Sequence, residues 1–375
     1  MPDPVPTTLA AILLLFALNG RLRARKIRVW QLGLLASEFG IFVAPVALAL
    51  AVLSANAGLR GLLPLLLSLA AAGLLLGPEY ASRRLGRGLE QRIKAGLSSG
   101  DTDATTHPHV PVPGFRASRE THGYIAPSGA ARRIVFYPAN HAGAAPCVVV
   151  VHSGGWESGS PEEFPGFHRQ LAQAGYAVAC IEYGLAPAHA WPVPRDDVRA
   201  AIARLRADAA KLRIDPERLV LFGRSAGGQI ALCVAYDAPP PGVRGAIAFY
   251  APTDMVFAWH GAYDGDILDS PRLLKNYLGG RPAETPAIHA DASPTVLAAR
   301  GPVLPTLLLH GRRDELVWCL QLRRLARVLR RHGTPHAAII LPWARHAFDY
   351  RTRGPGGRIA MRATAVFLEE VLRKQ

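Results

Sequence analysis

The chain has little of what metal, redox and nucleic-acid chemistry requires. Its four cysteines stand apart at 147, 180, 233 and 319 with no Cys-x-x-Cys spacing, which excludes a thiolate zinc site and a dithiol redox motif. Isolated thiols in apolar strand and helix patterns read as small buried hydrophobes, as suits a reducing cytoplasm. His107-Pro108-His109 is too sparse for a metal set. Lysine is scarce as well, at 5 of the 43 basic residues. Acidic residues number only 28, so the net charge is +15. That excess is spread out: residues 1 to 95 hold 11 basic and 4 acidic side chains, which is +7, and the rest of the chain carries +8. No basic run is interleaved with aromatics, which excludes a nucleic-acid footprint. No internal repeat stands out.

What is present is a series of apolar strands, each followed by a chemically pointed loop. Arg218-Leu219-Val220-Leu221-Phe222 leads into Gly223-Arg224-Ser225-Ala226-Gly227-Gly228 and then a small-residue helix. Glycines two before and two after Ser225 allow the sharp turn that lifts a hydroxyl above a sheet. That turn favours Ser225 as a nucleophile, with a helix N-cap as the plainer alternative. Upstream, Cys147-Val148-Val149-Val150-Val151 does not alternate with polar residues and so reads as a buried parallel strand; it ends in His152-Ser153-Gly154-Gly155-Trp156. Glycines there let backbone amides converge on a developing oxyanion, although an ordinary glycine turn has the same composition.

Two further strands end in candidate partners for the serine. Leu307-Leu308-Leu309 precedes His310-Gly311-Arg312-Arg313-Asp314, and Ala337-Ala338-Ile339-Ile340-Leu341 leads to His346. The chemistry needs His346 to take the Ser225 proton, and Asp314 to hold the imidazole tautomer and stabilise the imidazolium. Each has a plainer reading, Asp314 as a turn residue and His346 as a loop histidine. Glu315 is the rival acid, and His310 reads as a strand-end packing residue. A triad with an oxyanion hole completes acyl transfer unaided, so neither cofactor nor metal is expected.

His-Ser-Gly-Gly-Trp, Gly-Arg-Ser-Ala-Gly-Gly, His-Gly-x-x-Asp and Arg-His-Ala-Phe, in that order, resemble the α/β-hydrolase fold, specifically esterases of the hormone-sensitive-lipase-like and feruloyl-esterase-like (BD-FAE) groups. Tyr183-Gly184-Leu185-Ala186-Pro187, followed by Asp196-Asp197-Val198, is similar to another block of those esterases, and the resemblance spans about residues 115 to 373. It implies Ser225 as nucleophile, Asp314 as acid, His346 as base, and the amides of Gly154, Gly155 and Ala226 as oxyanion donors. Ser153 departs from the usual glycine at its position.

The second large signal is N-terminal. Residues 4 to 20 and 39 to 59 carry no charge, and Gly61 to Gly77 adds 17 more uncharged positions. About 20 apolar residues span a bilayer, so membrane helices are expected near 5–20, 31–56 and 60–77, the first being marginal in length. Buried core helices are the alternative, but three such stretches ahead of a complete α/β region have no evident core to join. Arg21, Arg23, Arg25, Lys26 and Arg28 follow the first stretch, and Arg83, Arg84, Arg87, Arg92 and Lys94 follow the third. The positive-inside rule puts both clusters in the cytoplasm, and the hydrolase with them. A cleavable signal would carry its positive charge ahead of the apolar run. The cluster from Arg83 to Lys94 also suits anionic lipid heads.

The expected organisation is therefore a multi-pass membrane region at 1–95, a linker at 96–114, and an α/β-hydrolase domain at 115–375. Its sheet is mostly parallel and flanked by helices, with Arg133-Ile134-Val135-Phe136-Tyr137 as an edge strand. Residues 254–300 are too long for a plain connection and read either as a lid or pocket insertion, with Trp259, Tyr263 and Tyr277 lining it, or as helices packed on the sheet. Trp156 is a further candidate substrate contact. The expected activity is cleavage of small-molecule or lipid carboxylic esters through an acyl-serine. An acyltransferase using the same serine, a silent membrane interaction module, and a peptidase are the alternatives.

Overall fold

The structure, a computed structural model, describes residues 4–97 and 114–373. The linker expected at 96–114 and the His107–His109 pair therefore lie almost wholly or wholly outside the described residues. Eight strands form one sheet: β1 (Glu120–Ile125), β2 (Ala131–Tyr137), β3 (Ala145–Val151), β4 (Ala177–Ile181), β5 (Ile214–Arg224), β6 (Val243–Phe249), β7 (Thr306–Gly311) and β8 (His336–Leu341). Their spatial order is β1-β2-β4-β3-β5-β6-β7-β8, with β1–β2 and β2–β4 antiparallel and every other pair parallel. Helices cover both faces, so every residue of β3, β4 and β7 is buried. That is why these strands read as unbroken apolar runs rather than alternating ones.

The sheet edges correct the sequence reading in one place. Arg133–Tyr137 was expected at the edge, yet β2 is interior and β1 lies outside it. β1 is Glu-Thr-His-Gly-Tyr-Ile and buries only Tyr124, so its polar composition hides it. Its other flank is unpaired, which removes the need for apolar side chains on both faces.

N-terminal to the sheet, four helices run α1 (Pro4–Asn19), α2 (Ile27–Ala55), α3 (Leu62–Gly86) and α4 (Leu89–Leu97). The three apolar stretches do have a core to join. α1, α2 and α3 pack through small residues, with Ala17, Ala44, Ala47, Ala71 and Ala72 buried between them. A Cβ on Gly40 would lie 2.5 Å from the Leu75 carbonyl oxygen, so the close approach of α2 to α3 requires glycine there. The same bundle docks on the sheet domain. Ser82 Oγ donates to the Pro355 carbonyl at 2.7 Å, Arg358 Nη2 meets Glu79 Oε2 at 2.6 Å, and the Gly356 amide donates to Glu38 Oε2 at 3.2 Å. The Arg345 side chain is fully buried among Glu315 and the carbonyls of Asn19 and Leu22. α4 lays Leu89 and Ile93 into the core beneath β8 and the C-terminal helix Pro355–Val371.

Beneath the loops of the sheet lies a second buried ion pair. Arg224 Nε is 2.6 Å from Asp349 Oδ2, with side-chain exposures of 2% and 0%. The guanidinium sits over the rings of Phe164, Phe167 and Phe222 at 4.3, 4.6 and 4.4 Å. Tyr250 Oη donates to the other oxygen, Asp349 Oδ1, at 2.6 Å. Removing one partner of such a pair leaves an uncompensated charge in an apolar shell. Asp349→Ala is therefore expected to destabilise the fold by about 3–5 kcal/mol and to lower the thermal midpoint by roughly 10 °C. A wild-type midpoint in a scanning-calorimetry experiment on that variant would remove this role.

Candidate active site

Ser225 follows β5 directly and immediately precedes the helix Ala226–Tyr236. Its φ of 52° is left-handed, a conformation that costs a non-glycine residue on the order of 1–3 kcal/mol and persists only where the surroundings impose it. Those surroundings are backbone. The Ser225 amide donates to the Phe249 carbonyl at 2.9 Å, and Cβ atoms on Gly223 or Gly227 would fall 2.1 and 2.2 Å from carbonyl oxygens. The capping alternative fails on geometry, because the Ser225 side chain makes no cap hydrogen bond. Its hydroxyl instead faces a cavity with about 880 Å³ of empty space, part of it open to solvent.

His346 and Asp314 are brought together by the loops after β8 and β7. His346 Nδ1 is 2.7 Å from Asp314 Oδ2, leaving Nε2 as the ring nitrogen free for proton transfer. The end of β6 links the serine turn to the histidine loop. Phe249 holds the Ser225 amide, and the ring of the next residue, Tyr250, lies 4.4 Å from the His346 ring. Asp314 Oδ1 accepts from the amides of Leu316 and Val317, each at 2.9 Å. Burial pushes the Asp314 carboxyl up, but the His346 and His310 imidazoles overcome it and hold the carboxyl at about 2. His310 Nε2 is 3.2 Å from Asp314 Oδ2 and 2.8 Å from the Val317 carbonyl, so it braces the acid rather than merely filling the strand end. The rival acid is committed elsewhere: Glu315 pairs with Arg345 and accepts from the Ala24 amide at 3.1 Å, and burial raises its carboxyl pKa.

The glycine loop after β3 supplies free amides. Among the described residues, the N–H groups of Gly154, Gly155 and Ala226 have no acceptor within the protein. Gly154 has φ 117°, and a Cβ there would lie 2.0 Å from the Ser158 carbonyl oxygen. Ser153, the departure from the usual glycine, anchors the loop. Its hydroxyl and amide both donate to Glu163 Oε2, at 2.6 and 3.3 Å. A hydroxyl therefore serves at a position that needs no left-handed backbone.

The cavity wall comes from three parts of the chain. Residues 255–278 line much of it with Phe257, Tyr263, Leu273 and Leu274, while Tyr277 and Leu278 turn into the core. The long segment is thus pocket wall on one side and sheet packing on the other. Tyr263 lines the cavity, but Trp259 does not, because it packs against the core instead. Trp156 does both: it lines the cavity, stacks on Tyr277 at 4.4 Å, and donates from Nε1 to Gln229 Oε1 at 3.0 Å. Gln229, absent from the sequence reading, also accepts from Tyr277 Oη at 2.8 Å and donates to the Ala292 carbonyl at 2.8 Å. Its amide has the donors and acceptor to bind all three, yet one glutamine in a helical pattern gives no signal. Arg23 and Ala24, from the connector between α1 and α2, close the third side.

Asp314 also makes the site sensitive to acid. A carboxyl held at about 2 against an ordinary 3.8 adds stability that is complete above about pH 4 and is lost as pH falls through about 2. The difference corresponds to about 2 kcal/mol. Asp314→Asn is expected to flatten the fall of stability between those pH values in urea unfolding. An unaltered acid limb would contradict the coupling.

Comparison with known proteins bears on the family and the fold. Esterase LipC from Mycobacterium tuberculosis is 30% identical over 243 residues, covering 62% of this chain and 60% of that protein. Carboxylesterase NlhH from the same species is 30% identical over 212 residues, covering 54% and 62%. The match thus spans about 60% of the length of these curated relatives. Among solved structures, a bacterial heroin esterase superposes with TM-score 0.60 at 22% identity over 78% of this chain and 92% of that one. A hyperthermophilic esterase from the archaeon Pyrobaculum calidifontis gives TM-score 0.58 at 21% identity over 78% and 94%. These likenesses show the α/β-hydrolase-like fold. The BD-FAE family profile matches residues 134–329, more than half of the 375-residue chain and the span from β2 to the helix after β7, and so the chain belongs to the BD-FAE family.

Proposed function

We propose that the protein is a membrane-anchored serine hydrolase that cleaves carboxylic esters through an acyl-enzyme on Ser225. The observation that carries this reading is a strained Ser225 on the cavity wall with no cap hydrogen bond, together with the His346–Asp314 pair on the loops after β8 and β7. His346 Nε2 accepts the Ser225 proton as Oγ attacks the ester carbonyl. The tetrahedral oxyanion is met by the amides of Gly154, Gly155 and Ala226. Collapse expels the alcohol, which takes its proton from His346, and water then releases the carboxylic acid by the same steps in reverse order. Trp156 and Tyr263 are the proposed substrate contacts. The esterase names of the curated relatives favour this class of substrate over amides.

The anchor is proposed from length and surface. Ile27–Ala55 and Gly58–Gly86, 29 residues each, are long and apolar enough to cross a bilayer, whereas α1 with 16 is shorter than the roughly 20 residues a span needs. Phe42, Val46, Val52, Leu53, Leu63 and Leu66 point outward from the bundle, a surface that water does not favour. Both basic clusters, 21–28 and 83–94, lie at the end of the hairpin that docks on the hydrolase. The positive-inside rule then puts the domain proposed at 115–375 on the cytoplasmic side, with residues 1–95 as the membrane region.

Two measurements test the proposal. A fluorophosphonate should label the detergent-solubilised protein on Ser225, located by mass spectrometry, and His346→Ala should lower ester turnover by about 10⁴-fold or more. Folded protein without that adduct would sink the enzymatic reading. A phosphatase fused after Gln375 should be inactive in a bacterial host, and periplasmic activity would reverse the topology.

A further inference from the structure

Next to the substrate cavity a second cleft opens between the α1–α2 connector and the loop carrying Asp314. It is lined by Arg21, Arg23, Arg312, Arg313 and Arg323. Among the described residues none of these five guanidinium groups meets a carboxylate. Arg21 and Arg313 donate to the carbonyls of Leu74 and Gly20, and Arg23 lies over the Trp318 ring at 5.6 Å. The two carboxylates in the cleft wall are already committed, Asp314 to its histidines and Glu315 to Arg345. Burial, and after it the charges of Arg21, Arg345 and Arg312, lower the Arg313 pKa, so the cations crowd one another. Elsewhere in the chain arginines are routinely paired, as at Arg195, Arg224 and Arg358. Five uncompensated cations around one concavity focus a field that favours an oxyanion, and guanidinium forks match its geometry.

This cleft adjoins the cavity lined by Ser225, and Arg23, Glu315 and Trp318 stand in the wall of both. It also lies where α1 ends and α2 begins, level with the hydrolase-side end of the apolar bundle. We propose that the arginine cleft is an oxyanion subsite of the same active site, and that the substrate is an acyl ester whose alcohol portion bears a phosphate. The acyl group occupies the apolar cavity by Ser225 and the phosphate occupies the cleft. Water cleaves the acyl carbon–oxygen bond, giving a carboxylic acid and a phosphate-bearing alcohol, with phosphorus–oxygen bonds untouched. The inference rests on the serine-hydrolase reading above. A lipid headgroup in a bilayer and a soluble ester both present such a phosphate, and the cleft chemistry is the same for either.

The test uses the full chain in neutral detergent, with dibutyryl phosphatidate and dibutyrylglycerol as monomeric substrates. Wild type is expected to favour the phosphatidate about tenfold or more in kcat/KM, chiefly through KM, with the preference shrinking as salt rises. Arg312→Gln combined with Arg323→Gln should bring that ratio toward one, and the corresponding lysine pair should retain much of it. Inorganic phosphate should raise KM for the phosphatidate in wild type. A wild-type ratio near one, or a ratio unchanged in the glutamine variant, overturns the subsite. So does a preference that appears only on vesicles and is matched by dibutyrylglycerol on phosphatidylglycerol vesicles, since that is surface accumulation alone. Bilayer presentation as the source is supported when long-chain phosphatidate in vesicles adds to a preference already present for the monomer. A Ser225 adduct with turnover of dibutyrylglycerol only would sink the subsite and spare the hydrolase; absence of adduct and of all turnover sinks both.

Discussion

The buried pair between Arg224 and Asp349 is the constraint on which the site depends. Arg224 precedes Ser225, and Asp349 lies three residues after His346, so one ion pair joins the strand end carrying the hydroxyl to the loop carrying the imidazole. In a low-dielectric setting such a pair tolerates little displacement, since each charge is expensive without the other. Tyr250 extends the link, because its hydroxyl holds Asp349 while its ring lies against His346. The strained backbone of Ser225 is sustainable because this framework and the glycine contacts over-determine it.

A second arginine makes the N-terminal bundle part of the hydrolase. Arg345, beside His346, is buried among Glu315 and the carbonyls of Asn19, at the end of α1, and Leu22, in the connector that follows. A Cβ on Gly33 would lie 2.6 Å from its Cζ, so α2 approaches closely only because it offers no side chain there. Burial pushes both Arg345 and Glu315 toward their neutral forms, and the carbonyls and the Ala24 amide offset that cost. The outcome is that Arg23 and Ala24, from the N-terminal helical region, stand in the cavity wall. The N-terminal bundle and the cavity share one set of contacts.

Much of this was legible from residue order. Strands buried on both faces cannot alternate, so β3, β5 and β7 stand out in the sequence, and each is followed by a loop whose candidate group gains its meaning only from the others. What escaped had a common cause. β1 is a polar edge, Gln229 is one amide in a helix, and His310 resembled packing because its bond to Asp314 depends on a loop folding back over four residues. Trp259 was misassigned as a cavity residue for the converse reason: which face of a short helix meets the cavity is a matter of how that helix sits on the core.

By itself the sequence determined the strand–loop order, the left-handed elbow that only flanking glycines permit, and the apolar stretches of the N-terminus, because backbone sterics and apolar periodicity are local properties. Only the tertiary structure decided which carboxylate faces His346, which aromatics line the cavity, and that five arginines from the connector, the Asp314 loop and the following helix share one cleft. Those outcomes turn on distances between residues up to about 300 positions apart in the chain, and such distances are set by packing of the whole rather than by any neighbouring residue.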